Sequence, residues 1–168
     1  YSRAGRVVLP SRKVNVNTLV EDALSAADPE KSVTLLLPEP LPIMVTQVNW
    51  LNQVLSKLIA NAVLYGKPEG GAAQELLITC EESSEHFQFT LSDNGPGIPE
   101  EHQGRVFEVF ETLGDQKSSR TTGIGLSVAR KLIEKVGGKI WIENRVEDQE
   151  RTGATISFTW PKKGSDRQ

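Results

Sequence analysis

From His86 to Leu91 apolar and polar residues alternate without a break, and the run passes directly into Asp93-Asn94-Gly95-Pro96-Gly97-Ile98-Pro99. Phe87, Phe89 and Leu91 fall on one side, His86, Gln88 and Thr90 on the other. Strict period two is the pattern of a half-buried strand, with one face against a core and one in water. The glycines and prolines that follow end the strand in a tight turn. A strand of this kind belongs to a sheet covered on one face, so the rest of the chain must supply the cover.

It does so with helical spacing. Val16, Leu19, Val20, Ala23 and Leu24 recur on one helix face behind Asn15, a suitable N-cap. Two short strands follow near Val33 to Leu37 and Pro42 to Val45, with Pro38 and Pro40 breaking between them. Thr46 is expected to cap a long helix to about Tyr65, whose apolar face is Val48, Leu51, Leu55, Leu58, Ile59 and Ala62. Gly66 suits its C′ position. QELLITC pairs with HFQFTLSD as a hairpin. Residues 94 to about 122 form a long connection, and connections of that length are usually functional. A third helix is expected from about Ile124 to Val136, stopped by Gly137-Gly138, and KIWIEN and GATISFTW close the domain as strands. The sum is an α+β two-layer sandwich, one mixed sheet with helices on one face. Residues 1–13 read as a basic, irregular linker, 14–161 as the domain and 162–168 as a loose tail.

The chain has 168 residues, the size of one domain. Its net charge of −3 argues against a general binder of nucleic-acid backbone. No apolar run approaches the ~20 residues of a membrane span, so no membrane contact is expected and a cytoplasmic setting is the default. Cys80 is the single cysteine, which excludes an internal disulfide, and two histidines, His86 and His102, leave little for a His-rich metal centre.

Three segments carry chemistry. Asp93 stands at a strand end, where a carboxylate can accept a hydrogen bond from an exocyclic amine, and Gly95 and Gly97 let backbone approach a flat ligand. A plain Asn-Gly-Pro turn has the same composition, and this segment alone does not separate the two. Arg120-Thr121-Thr122-Gly123-Ile124-Gly125-Leu126 opens the third helix, where exposed N–H groups and the helix dipole favour phosphate. A hinge followed by a capped helix reads the same way. Lys57, Asn61 and Tyr65 lie at i, i+4 and i+8 and form one row beside the apolar stripe of the long helix. An Asn there could ligate a hard cation, and an ordinary polar border would look no different.

Taken together, in this order over about 80 residues, the segments resemble the catalytic and ATP-binding domain of sensor histidine kinases, within the GHKL ATPase superfamily, phytochrome-like kinases included. SDNGPGIPEEHQGRVFEVF carries the likeness most specifically, as the family's first glycine box running into its phenylalanine box, here Phe107 and Phe110. The resemblance implies the superfamily's ATP-binding sandwich with a long ATP lid, over roughly residues 14 to 161. It implies that Asp93 binds the adenine amino group, with Thr155 nearby, and that Gly95 and Gly97 line the base. Tyr65 would lie against adenine, and Asn61 would hold Mg²⁺ on the phosphates. Gly123, Gly125 and the Leu126 amide would cradle phosphates, with Arg105, Lys117 and Arg120 of the lid (residues 100 to 122) as further contacts.

Three positions depart from the family pattern. Lys57 stands where an Asn is usual, and it can reach a phosphate but cannot serve as a carboxylate base or neutral metal ligand. Leu64 replaces a basic residue, and Thr121 replaces the glycine that usually begins the second glycine box. A phosphoacceptor His would sit on a helical hairpin, followed by Glu or Asp. His86 precedes Phe87 and His102 precedes Gln103, so neither fits and His86 reads as a residue on the polar face of its strand. The resemblance therefore implies an acceptor on an upstream dimerisation domain, a homodimeric full-length protein, a response-regulator partner, and a fragment unable to phosphorylate itself. A serine-directed kinase of the anti-sigma type, or a nucleotide-binding pseudokinase, is the alternative.

Overall fold

The computed structural model describes residues 11–97, 116–144 and 153–162, with side chains in the middle stretch over 126–143. Along the chain run β1 (Arg12–Asn15), α1 (Val16–Ala27), β2 (Val33–Leu36), β3 (Ile43–Thr46), α2 (Val48–Tyr65), β4 (Gln74–Glu82), β5 (His86–Asp93), α3 (Gln116–Lys135), β6 (Ile140–Asn144) and β7 (Ala154–Pro161). Five strands make a mixed sheet in the order β2-β4-β5-β7-β6. β2 and β4 are parallel and the other pairs antiparallel. β1 and β3 form a separate two-stranded antiparallel sheet.

The alternation in β5 builds the core. Phe87, Phe89 and Leu91 are buried and stand opposite Trp160, Phe158 and Ile156 of β7. The Phe89 and Phe158 rings stack at 5.1 Å, and Phe158 meets Trp160 edge-on at 6.3 Å. Such ring pairs add about 0.5–1.5 kcal/mol each beyond the area they bury. α2 covers this face with Leu51, Val54, Leu55, Leu58, Ile59 and Ala62, and packs between α1 and α3. The opposite sheet face is polar: Thr90 and Ser92 share hydroxyl hydrogen bonds with Ser157 (3.3 Å) and Thr155 (2.9 Å). This is the expected two-layer α+β sandwich.

Local details differ from expectation in four places. The basic N-terminal stretch ends in a strand, because Arg12 to Asn15 pair with Thr46 to Ile43, a long-range pairing that leaves no periodic signal. Thr46 does not cap α2. Gln47 is the cap residue, with no side-chain bond, and Thr46 Oγ1 accepts a buried hydrogen bond from Trp160 Nε1 at 2.8 Å instead. Gly66 is the C-cap itself, at φ −94°, so close approach and not a left-handed backbone explains the glycine. α3 begins at Gln116 and not near Ile124, since no proline interrupts the stretch and glycine weakens a helix by only about 1 kcal/mol. Its C-terminus is as expected: Gly137 at φ +94°, with Gly138 N–H donating to the Ile133 carbonyl (2.8 Å) and Gly137 N–H to that of Glu134 (3.0 Å).

Asp28 ties α1 to β2. Its Oδ1 accepts from Ser32 N–H (3.1 Å) and Ser32 Oγ (2.8 Å), and its Oδ2 from Val33 N–H (2.8 Å). Burial opposes ionisation, but these bonds and the charge of Lys67 outweigh it and hold the carboxyl below its ordinary value of 3.8. A depressed carboxyl stabilises the fold above the unfolded value and loses that contribution as pH falls through the folded one. Asp28→Asn is therefore expected to be less stable than wild type at pH 7 in urea titrations. The gap should narrow as pH drops below 3.8. In Thr46→Val the Trp160 indole N–H loses its acceptor in a buried setting. Urea unfolding should show a loss of about 1–3 kcal/mol, the usual penalty for such a group.

Candidate nucleotide-binding site

β5 ends at Asp93, on the sheet face that α2 covers, beside Leu76 of β4. Asp93 Oδ1 accepts two backbone N–H bonds, from Gly95 at 3.0 Å and from Ala154 at 3.0 Å. One donor lies in the turn after β5 and the other begins β7, so a single oxygen joins both. Three glycines let these segments and the end of α2 close on the carboxylate. A Cβ on Gly66 would lie 2.8 Å from Asp93 Cβ, and one on Gly95 would lie 2.6 Å from the Gly66 carbonyl carbon. One on Gly153, whose φ is +146°, would lie 2.0 Å from the Asp93 carbonyl oxygen. Asp93 remains half-buried.

α2 brings the second group of residues to the same end of the sheet. Asn61 and Tyr65 are half-buried and Lys57 is exposed, in a row beside the buried Leu58 and Ala62. At 1.5 Å per residue Lys57 lies about 6 Å along the axis from Asn61 and about 12 Å from Tyr65. The helix then ends at Gly66, against Asp93. The structure thus brings Asn61, Tyr65, Asp93 and Gly95 toward one corner. Gly97 follows in a left-handed conformation (φ +86°), as the tight turn requires.

Other expected residues fall elsewhere. Thr155 lies opposite Ser92 and bonds its hydroxyl, on the sheet face away from Asp93; strand alternation put the wrong residue in place, and its neighbour Ala154 meets Asp93 through backbone N–H. Gly123 and Gly125 lie inside α3 and not before it, so the expected helix mouth near Leu126 is absent, and the Leu126 side chain is buried in the core. Lys117 and Arg120 lie in the first turns of α3. Arg105, Phe107, Phe110, His102 and lid residues 100–115 lie outside the described residues. His86 is half-buried at the start of β5, where its backbone N–H donates to Ser83 Oγ at 3.1 Å. Burial, with Glu82 and Glu81 nearby, pushes the Cys80 thiol up to about 12, which rules out a thiolate nucleophile there at neutral pH.

Sequence reasoning missed Gly66 and Gly153 as partners of Asp93. A lone glycine just before a strand, as at Gly153, is the one local hint of close backbone approach. Gly153→Ala should lower stability by about 1–3 kcal/mol from backbone strain alone, and by more through the collision with Asp93. Gly70→Ala, at φ +78° with open space around it, is the control carrying strain only. Thermal unfolding of the two variants checks the difference, and equal losses would refute the crowding at Asp93.

Comparison with known proteins agrees with this geometry. Residues 46–164 match the family described as histidine kinase-, DNA gyrase B-, and HSP90-like ATPase. The chain is 35% identical over 134 residues to the adaptive-response sensory kinase SasA of Rippkaea orientalis, covering 79% of this chain and 32% of that protein. It is 33% identical over 165 residues to SasA of Microcystis aeruginosa, covering 95% of this chain and 41% of that one. Cyanobacterial phytochrome A of Nostoc is 33% identical over 130 residues, which are 77% of this chain and 16% of that one. The chain therefore spans less than half the length of these relatives. The solved catalytic domain of histidine kinase ThkA superposes with a TM-score of 0.69 at 27% identity, covering 92% of this chain and 97% of that domain. These relatives do not favour the serine-directed alternative. The chain belongs to the histidine kinase-, DNA gyrase B- and HSP90-like ATPase family, as an ATP-binding catalytic domain of the histidine kinase kind.

Proposed function

We propose that this domain binds ATP at the corner where α2 ends against Asp93 and passes the γ-phosphate to a histidine on an upstream dimerisation domain of a homodimeric sensor kinase, from which a response regulator takes it. The observation that carries this reading is Asp93 itself, a half-buried carboxylate at a strand end, held through Oδ1 by two backbone amides. Adenine presents an exocyclic amine that such a carboxylate can accept from, and Gly95, closed against Gly66, lines the base with backbone in this reading. Tyr65 flanks the base and Asn61 faces the polyphosphate. Among the described residues no group of three or more His, Cys, Asp and Glu could hold a metal. Asn61 fits Mg²⁺ through its carboxamide oxygen, a hard neutral donor, and the ion would supply charge to offset the phosphates. Lys57, exposed and on a long flexible stem one turn from Asn61, takes a phosphate oxygen in this reading. Gly97 lines the base, and Arg105, Lys117 and Arg120 contact phosphates, whereas Gly123, Gly125 and the Leu126 amide would do so only with the first turns of α3 unwound. Transfer then rests on positioning and charge neutralisation, not on a covalent protein intermediate. No helix among the described residues is long and apolar enough to cross a membrane, and an ATP-consuming domain belongs on the cytoplasmic side.

Calorimetric titration with ATP and Mg²⁺ should give a saturable heat and a rise in melting temperature. Absence of both would end the reading. Asp93→Asn keeps an oxygen for the two amides but offers the base an NH₂ in place of an acceptor. Its ATP affinity should fall by roughly 10- to 100-fold, equivalent to the about 1.5–3 kcal/mol of a hydrogen bond to a charged group. Unchanged affinity would show that the base binds elsewhere. Lys57→Ala should weaken ATP binding several-fold and leave adenosine binding unaltered, as expected for a phosphate contact alone.

A further inference from the structure

The turn after β5 is stitched to the end of α2 by two carboxamides that the nucleotide reading does not use. Gln74, buried at the start of β4, donates from Nε2 to the carbonyls of Ala62 (3.2 Å) and Val63 (3.1 Å). Those carbonyls lie in the last turn of α2, between Asn61 and Tyr65. Asn94, directly after Asp93, grips the residues on either side of Gln74. Its Oδ1 accepts from Glu75 N–H at 2.8 Å and its Nδ2 donates to the Ala73 carbonyl at 2.7 Å. The Asn94 side chain thereby extends the β4–β5 ladder one step beyond the Leu76–Asp93 pair. The bonds run without interruption from the last turn of α2, through the Gln74 side chain and its own strand, to Asn94 and Asp93.

We propose that Gln74 and Asn94 are positioning residues: they fix the Asp93 carboxylate relative to Asn61 and Tyr65, and so set how well the site discriminates adenine from other bases. This rests on the reading of Asp93 as the group that recognises the base. The placement argues for positioning over general support. Each carboxamide spends both ends of its polarity or both of its donors on backbone, and the Gln74 to Ala62 bond is buried, where a misplaced group is not rescued by water. Neither touches the base or the phosphates; both act through the segments that do. A shift of a fraction of an ångström in Asp93 would leave the fold standing and lengthen its bond to the base amine.

The test measures ADP and GDP affinities side by side, because guanine carries a carbonyl where adenine has its amino group. Wild type should prefer ADP. Gln74→Glu and Asn94→Asp keep shape but turn a donor that meets a carbonyl into an acceptor. In both, ADP affinity should fall about tenfold or more while GDP affinity changes little, so the ratio narrows toward one. Should Asn94→Asp fail to fold, Gln74→Met carries the same prediction through loss of the α2 tether alone. Thr46→Val, which weakens the fold away from this chain of bonds, should leave the ratio as in wild type. A wild-type ratio in the folded Gln74 and Asn94 variants would overturn the proposal, as would an equal loss for both nucleotides. So would a collapsed ratio in Thr46→Val. A wild-type domain that binds neither nucleotide, or does not prefer ADP, would instead sink the reading of Asp93 on which the proposal rests.

Discussion

One carboxylate oxygen, Asp93 Oδ1, holds together three pieces of chain that are far apart in sequence. It accepts from the turn behind its own strand and from the first residue of β7, and the end of α2 is packed against its Cβ. The approach needs glycine at three places: a Cβ on Gly66 or Gly153 would strike Asp93, and one on Gly95 would strike Gly66. The site therefore exists because backbone replaces side chains around one charge. Hydrogen bonds to an ionised acceptor are stronger than neutral ones, so this junction is stiffer than a turn of the same length would be alone.

The rest of the fold keeps that junction in place. β5 and β7 bring Asp93 and Ala154 together because their aromatic pairs, Phe89 with Phe158 and Phe87 with Trp160, lock the register. A slip of one residue would turn every ring to the wet face. α2 reaches the corner because its buried stripe fixes its rotation on the sheet, which places the Lys57-Asn61-Tyr65 row along the border of the stripe. Trp160 N–H on Thr46 then ties β7 to the chain just before α2, so helix and sheet are joined at both ends. A row of potential ligands on a helix edge is by itself an ordinary polar border. Its meaning comes from where the helix stops.

Periodicity made the core legible. The alternation of β5, the faces of α1 and α2, and the glycine stop of α3 were readable because each depends on residues close in sequence. What escaped were features made by partners far away. β1 is four residues whose pairing with β3 is the only reason they are extended. Thr46 reads as a cap by type, but its hydroxyl is taken by a tryptophan 114 positions later. At the site, Asp93 stood out because a carboxylate ended a strand before a glycine-rich turn, whereas Gly153 and Ala154 became its partners only through the β5–β7 register. Thr155 was attractive as a hydroxyl near the right strand end, and the one-residue alternation of a strand sends it to the other face.

α3 poses the sharpest physical question, because a phosphate cradle at Gly123 to Leu126 and a continuous helix from Gln116 cannot coexist. In the helix, the N–H groups of residues 123 to 126 are committed to carbonyls one turn back. Freeing them means unwinding the segment down to Leu126, which the core holds by its side chain. The sequence of that segment makes the exchange cheap. Relative to alanine, Thr121 and Thr122 each weaken a helix by about 0.5 kcal/mol and Gly123 and Gly125 by about 1 kcal/mol, roughly 3 kcal/mol in all. A phosphate on a fresh helix N-terminus adds about 0.3–2 kcal/mol in the same direction, before any contact from Lys117 or Arg120. Both effects favour the unwound arrangement, and they act on the residues from Thr121 to Gly125 and not on the anchored half from Leu126 to Lys135.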